Sequence, residues 1–381
     1  MEIWNCWSCV GAVAVCVYTV VQTLKRGCQA GHWAVCLGAL VALGCCHYFG
    51  VSPGPCGVAV FCCSLCLHAV IVGMRADFVP VQGRAVLVTG CDTGFGHALA
   101  KLLDQMGVVV FAGVLNVNSP GAQQLKEQGS ENLQVLQLDV TDSSQIEQAH
   151  HHIWTKVGKT GLWGLVNNAG IMLCPADAEI LPITMWKRCM DVNFLSAVKM
   201  CQVFLPLLRH SKGRIVNVSS MAAEVPMPTI SAYGASKAAL TNFSQVIRLE
   251  LAAWGVRVAL IQPAGFRTNI FSKGEDISRF RDEIMRHMSS DVREDYGEAY
   301  IKSLPSHLSK MAKKSAEDLS PVLDNMCHAL FATKPKLIYT PGQMGWLLPF
   351  LQRLCPTAMF DVIITKCIIQ NECKPAGLHT T

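Results

Sequence analysis

Tyr233 and Lys237 stand four residues apart in the stretch SAYGASKAAL, Ser231 to Leu240. On a helix that spacing puts both side chains on one face, a turn apart. A tyrosine ordinarily loses its proton near pH 10, about three units too high for a base at neutral pH. A neighbouring ammonium favours the tyrosinate and moves the group toward the range of a general base. Such a pair can take a proton from a hydroxyl. The same residues can also be an ordinary exposed helix pair, so the chemistry depends on what surrounds them.

The surroundings are set by an alternation that begins at Gly83. RAVLVTG and VVVFAGVL are short, continuous apolar runs and read as buried strands; HALAKLLDQMG between them reads as a helix closed by glycine. LQVLQLDV, SSQIEQAHHHIWTKV and LWGLVNNAG continue the pattern, followed by GRIVNVSS, a helix from about Ala232 to Trp254, and VRVALIQP. Continuous apolar strands between helices predict a parallel sheet covered on both faces, a doubly wound α/β fold. Ligands bind such a sheet beyond the carboxyl ends of its strands.

VLVTGCDTGFGHALA places Gly90, Gly94 and Gly96 between the first strand and its helix, spaced G-x-x-x-G-x-G. Glycines let a turn approach a pyrophosphate, and the helix start offers free N–H groups and the positive end of its dipole. The turn therefore predicts a dinucleotide. The second strand ends in FAGVLNVNSPG, where an acid would bind a ribose 2′-OH and repel a 2′-phosphate. Asn116 and Asn118 stand there instead, and no acid follows nearby. Apart from Lys101, inside the helix, Phe95 to Gln124 contains no lysine or arginine, so a 2′-phosphate would meet no guanidinium. NAD is favoured over NADP, with Asn116 either the ribose contact or a plain turn residue. Asp139 ends the third strand and could accept from an adenine amino group; Asp142 is the better-placed helix cap. Asn167 to Gly170 end the fourth strand at the ligand edge.

The N-terminal part is of another kind. The chain is 51% hydrophobic and 15% charged, against roughly 25% charged in soluble domains, and the deficit lies before Arg75. Three apolar runs, Ile3 to Thr23, Trp33 to Val51 and Gly57 to Met74, are each near the length that crosses a bilayer. A cleaved leader is the alternative for the first, and VSPGPCG could be a re-entrant bend. Lys25 and Arg26 between the first two runs point to a cytosolic loop; three crossings then leave everything after Arg75 cytosolic. A net charge of +5 with no basic stripe excludes nucleic-acid binding as the main role. Of 19 cysteines, more than half lie before Met74, most of them in the apolar runs, and the rest lack disulfide or zinc spacing. No metal site is expected, and the catalytic part reads as reduced. Residues 1–77 read as an anchor, 82–341 as the dinucleotide-binding domain, and 342–381 as an apolar segment. That last segment is broken by Pro349 and Pro356, so it docks on a membrane, caps a pocket or is plain core. Ile270 to Ala316, polar and helical, reads as a lid or as solvated surface helices.

TGCDTGFG, LDVTD, NNAG, MDVNF, NVSS, YGASK and IQPAGFRTN, in this order, resemble the short-chain dehydrogenase/reductase family over about Arg84 to Pro341. The resemblance implies a Rossmann-like domain with a seven-stranded parallel sheet. It makes Tyr233 the proton donor and acceptor, Lys237 its activating lysine, Ser220 the binder of the substrate oxygen, and Asn193 the support of a water relay. A serine hydroxyl can donate to an alkoxide forming on the substrate. The implied cofactor residues are Gly90, Thr93, Gly94, Phe95 and Gly96; Asn116; Asp139 and Val140; Asn168, Ala169 and Gly170; Tyr233 and Lys237; and Pro263, Gly265 and Thr268. One departure stands out. After the sixth strand the family has Pro-Gly, whereas this chain has Pro263, Ala264 and then Gly265.

VFAGVLNVNSPGA, GLWGLVNNAG, FLPLLRHSKGRIVNVSSM and YTPG are similar to the membrane-bound hydroxysteroid dehydrogenases of the 17-beta type 2 group, and several of these segments to the 11-beta type 2 group. That similarity implies an endoplasmic-reticulum enzyme oxidising an apolar steroid with NAD. It also implies a dimer that pairs the helices around Val192 to His210 and Ala232 to Trp254. Ser220, Met221, Val225 and Phe266 are the expected substrate contacts, though the last three could be ordinary packing. An 11-beta-hydroxysteroid, a retinol or a non-catalytic NAD-sensing membrane scaffold are the alternatives.

Overall fold

In a computed structural model of the chain, the structure describes residues 77–270, 274–368 and 373–379. The apolar runs read as membrane crossings lie outside the described residues. The elements are β1 (Ala85–Thr89), α1 (Gly94–Gln105), β2 (Val109–Val114), α2 (Pro120–Gln128), β3 (Leu133–Gln137), α3 (Ser143–Val157), β4 (Gly164–Asn167), α4 (Ile183–Met190), α5 (Ser196–Ser211), β5 (Arg214–Val218), α6 (Ser231–Ala252), β6 (Arg257–Ile261), α7 (Gly274–His287), α8 (Ser290–Tyr296), α9 (Glu298–Lys314), α10 (Ser320–Phe331), β7 (Ile338–Tyr339), α11 (Leu347–Leu354) and α12 (Thr357–Val362). All seven strands run parallel in the order β3-β2-β1-β4-β5-β6-β7. The order reverses between β1 and β4, which opens the ligand crevice there.

Alternate residues of β1 serve two cores, so the strand is apolar throughout rather than every second residue. Val86 and Val88 pack with Leu99 and Leu103 of α1 and Met326 and Leu330 of α10. Ala85 and Leu87 pack with Ile153 of α3, Phe204 of α5 and Leu251 of α6. Each fully buried leucine contributes about 1.5–3 kcal/mol. The helix starts follow their caps. Asp142 accepts from the backbone N–H of Ser144 at 2.8 Å and opens α3. Ser119 caps α2, with Pro120 as its first residue.

The run Ile183–Ser211 is long and apolar enough to cross a membrane. Its inner face, including Met200, Phe204 and Leu208, is buried in the core of the sheet, as in the core helix of a soluble domain. A π-turn, Asp191–Leu195, joins α4 to α5.

The Ile270 to Ala316 segment has a buried face. Phe280, Ile284, Ile301 and Leu304 pack on Leu173, Ile180 and Met185 around the loop after β4. Tyr296 Oη donates to Glu179 at 3.0 Å, and Tyr300 Oη donates to Asp177. At the C-terminus, Leu348, Phe360 and Ile364 cover Met221 and Val225, while Phe350, Leu354, Met359 and Val362 face outward. Cys91, Cys174, Cys189, Cys201, Cys327, Cys355 and Cys373 are free thiols.

Candidate active site

A cleft of about 1290 Å³ opens at the carboxyl ends of the strands. Pockets for a single small molecule run to roughly 300–1,000 Å³, so this one has room for a dinucleotide and a second molecule. Its floor is the glycine turn. Gly90 and Gly94 take φ of +70° and +62°, which glycine adopts without strain. A Cβ on Gly96 would collide with the Gly90 carbonyl and the Asn168 amide. Thr93 precedes α1 without a side-chain cap, leaving the first-turn N–H groups available to a phosphate. The Asn168 amide donates to the Thr89 and Gly90 carbonyls at 2.8 and 3.2 Å, and Thr89 Oγ1 accepts from the N–H of both Asn168 and Ala169 at 3.0 Å. The β1 and β4 loops are thereby locked together. The glycine cradle and the uncapped helix start fit a nicotinamide dinucleotide.

The opposite wall of the cleft is built from β5 and α6. Ser220, just past β5, is extended, and its Oγ accepts from Ala222 N–H at 3.1 Å. That bond uses an acceptor site and leaves the O–H free to donate. Tyr233, in the first turn of α6, lines the cleft beside it. Lys237 is buried one turn on. Its Nζ donates to the Val218 carbonyl at 2.8 Å and lies 5.8 Å from the Tyr233 ring centroid. Asn193, on the π-turn, accepts from Ile171 N–H at 2.8 Å and donates to Ile171 O and Ser236 Oγ, both at 2.9 Å. A Cβ on Gly170 would sit 3.2 Å from Lys237 Nζ and 3.3 Å from Asn193 Oδ1, so a side chain there would crowd both groups.

The electrostatics differ from what the spacing suggests. Burial pushes Tyr233 up to about 12, partly opposed by its hydrogen bond with Ser220. Burial also pulls Lys237 down to about 8. The ammonium turns to the Val218 carbonyl rather than to the phenol, and burial is what dominates the tyrosine. Cys189 lies close enough to both groups to push each up slightly, and its own thiol is raised by burial.

The structure brings most of the sequence candidates into the cleft: Gly90, Thr93, Gly94, Phe95, Asp139, Val140, Asn168, Ala169, Gly170, Ser220, Met221, Tyr233, Lys237, Pro263, Gly265, Phe266 and Thr268. Gly96 and Asn193 stand behind it as supports. The loop with the departure from the family pattern is held on three sides. Met221 N–H donates to Pro263 O at 3.0 Å, Ala264 N–H to Pro341 O at 3.0 Å, and Ala316 N–H to Gly265 O at 3.0 Å. Two candidates are displaced. Val225 is fully buried beneath the C-terminal helices and does not line the cleft. Asn116 lies on the exposed turn beyond β2, outside the cleft lining, where its Oδ1 accepts from Asn118 N–H at 2.9 Å. Asp92, which no sequence motif singles out, lines the cleft. Its position inside the glycine turn was the available signal.

Fold and cleft define a dinucleotide-binding α/β oxidoreductase domain. The model of the short chain dehydrogenase family matches residues 84–277, and the chain belongs to that family. It is 42% identical over 369 residues to estradiol 17-beta-dehydrogenase 2 of Mus musculus, covering 95% of this chain and 94% of that one. It is 42% identical over 282 residues to 11-beta-hydroxysteroid dehydrogenase type 2 of Ovis aries, covering 74% of this chain and 66% of that one. A short-chain dehydrogenase from Streptomyces avermitilis shares the fold, with a TM-score of 0.58 and 22% identity over 75% of this chain and 97% of the other.

Proposed function

We propose that this protein oxidises the 17-beta-hydroxyl of estradiol and testosterone to the 17-ketone with NAD, at the endoplasmic-reticulum membrane with its catalytic domain in the cytosol. One observation carries the reading. Ser220, Tyr233 and Lys237 meet on the wall of a cleft that also presents Met172, Met221, Met227, Ile230, Phe266 and Ile270, apolar surface suited to a flat alcohol. The similarity to the Mus musculus enzyme supports the steroid, and the outward apolar faces of α11 and α12 support delivery from a bilayer. A homodimer through α5 and α6 is supported by the exposed Val246 and Leu249 on α6.

When bound, the oxidised nicotinamide accepts the carbinol hydride. Ser220 orients the hydroxyl by donating to its oxygen, and Tyr233 takes the proton. Tyr233 is the residue placed to act as the base, and the positive charge of an oxidised nicotinamide, with the Lys237 ammonium one turn on, would favour its tyrosinate. Lys237, near 8, is still charged at neutral pH. Thr93 and the first turn of α1 would hold the pyrophosphate by backbone N–H donors.

The second reading, oxidation of an 11-beta-hydroxyl, is favoured by the equal identity to the Ovis aries protein. Membranes containing the protein decide between them, assayed with estradiol, testosterone, cortisol and retinol, each with NAD and NADP. The expected result is NAD-linked turnover of estradiol and testosterone that falls about 10²–10⁴-fold in Tyr233→Phe. Turnover of cortisol alone would move the protein to the second reading.

A further inference from the structure

The glycine turn holds a carboxylate that the family pattern does not require there. Asp92 lies between Gly90 and Gly94, is half-buried, and lines the cleft. Its Oδ2 accepts from Leu115 N–H at 2.8 Å. Its Oδ1 accepts from Asn116 N–H and from Ser119 Oγ–H, each at 3.2 Å. Leu115 and Asn116 are the first two residues beyond β2, the place from which a dinucleotide fold ordinarily offers an acid to the ribose. We infer that Asp92 replaces that acid: it reaches across from the β1 turn and makes the site select a free ribose 2′-hydroxyl over a 2′-phosphate. The inference deepens the NAD reading above and rests on it.

Three features support the assignment. The carboxylate is fixed, because three donors grip it and because Gly121 presses against the Asp92 carbonyl so closely that a Cβ would collide. It also keeps its charge unneutralised. Among the described residues no lysine or arginine pairs with it; Lys101 bonds to Gln128 Oε1 at 2.8 Å and Lys126 to Val117 O at 3.1 Å. Its partners are N–H and O–H donors, and the start of α2 lies beside it through Ser119. Finally, it has capacity left. A carboxylate offers about four acceptor positions, and Asp92 uses three, leaving Oδ2 one position for a hydroxyl. A phosphate at the same point would meet a negative charge with nothing to offset it.

Binding of AMP and of adenosine 2′,5′-bisphosphate, together with kcat/KM for NAD and NADP, tests this in the full-length protein in membranes. In Asp92→Asn the NADP-to-NAD ratio is expected to rise about 10–100-fold, through a gain for NADP and a loss for NAD. Equal loss for both dinucleotides would overturn the inference and leave Asp92 as a brace for the turn. Should the variant not fold, the unsubstituted protein still decides. Discrimination between the two nucleotides, if coulombic, narrows about threefold from roughly 20 to 500 mM salt; an unchanged ratio overturns the inference. A wild-type preference for NADP would sink the NAD reading separately, whatever Asp92→Asn does to the ratio.

Discussion

A buried cation stands at each end of β5, and among the described residues neither meets a carboxylate. At the N-terminal end Arg214 is 5% exposed; beyond the C-terminal end Lys237, 2% exposed, bonds the Val218 carbonyl. The two sites handle the same problem in opposite ways. Arg214 lies 4.8 Å from the Trp163 ring, and Arg84 lies 3.4 Å from that ring. Its hydrogen bonds to Gly213 O and Ala332 O are long, both 3.4 Å, and its Nε has no partner. Burial and the charges of Arg257 and Arg84 lower it to about 10, so it stays charged at neutral pH. A delocalised, weakly hydrated guanidinium can be stacked and left charged. A compact ammonium cannot be stacked this way, and burial moves its proton affinity instead, in this case to about 8. The end that holds lysine can therefore do chemistry at physiological pH, whereas the end that holds arginine can only be structure.

The largest effect should come from Lys237→Met. It removes the cation that favours the Tyr233 base, and kcat/KM should fall about 10²–10⁴-fold. Stability should not fall with it. The folded value near 8 lies below the ordinary 10.5, so between those values the unfolded chain holds a proton that the folded one has shed. Stability from this group therefore rises with pH across that window, by up to about 3 kcal/mol, and the burial penalty is fully present below it. Melting curves of wild type and Lys237→Met, compared at pH 7.5 and 9.5, should show the difference shrinking as pH rises. A variant that melts lower at both values by the same amount would mean that Lys237 acts as a structural brace.

Next comes Trp163→Ala at the other end. The ring packs in the first core, donates from Nε1 to Leu330 O at 3.0 Å, and covers two guanidiniums. Its loss should cost about 3–5 kcal/mol, mostly through the cavity, while the folded fraction still binds its nicotinamide dinucleotide normally. Chemical denaturation alongside a cofactor titration checks both halves. Weakened cofactor binding in folded protein would show that the two ends of the sheet are coupled.

The sequence reveals these two ends unequally. Tyr233 and Lys237 are legible because helix spacing alone puts them on one face, and the glycine turn is legible because only glycine fits its backbone. The doubly wound order follows from apolar strands that fill two cores at once. What stays hidden depends on long-range side-chain reach. Asp92 bonds residues 23 and 24 positions away across β1 and β2, and no local pattern records that. Val225 shows only that it is apolar, which suits a pocket wall and a covered core equally. Asn193 depends on a π-turn that spacing does not announce, and the Trp163 site depends on strands far apart in the chain. Asn116 stands where a dinucleotide fold ordinarily places an acid, but asparagine after a strand is also a common turn former, and its type alone does not separate the two.

Arg214→Met is the smallest of these effects and the most informative about the comparison. A buried charge with no carboxylate, crowded by Arg84 and Arg257, contributes little net stability; replacing such groups by apolar residues of similar volume is often neutral or favourable. Methionine can fill the stem's volume against Trp163. Unfolding free energy should change by less than about 1 kcal/mol, or rise, and kcat/KM should not move. Thermal and chemical denaturation with the steroid assay decide it. A loss above about 3 kcal/mol would mean that stacking on Trp163 is itself a main support of the sheet. The contrast between the two ends would then be one of strength rather than of purpose.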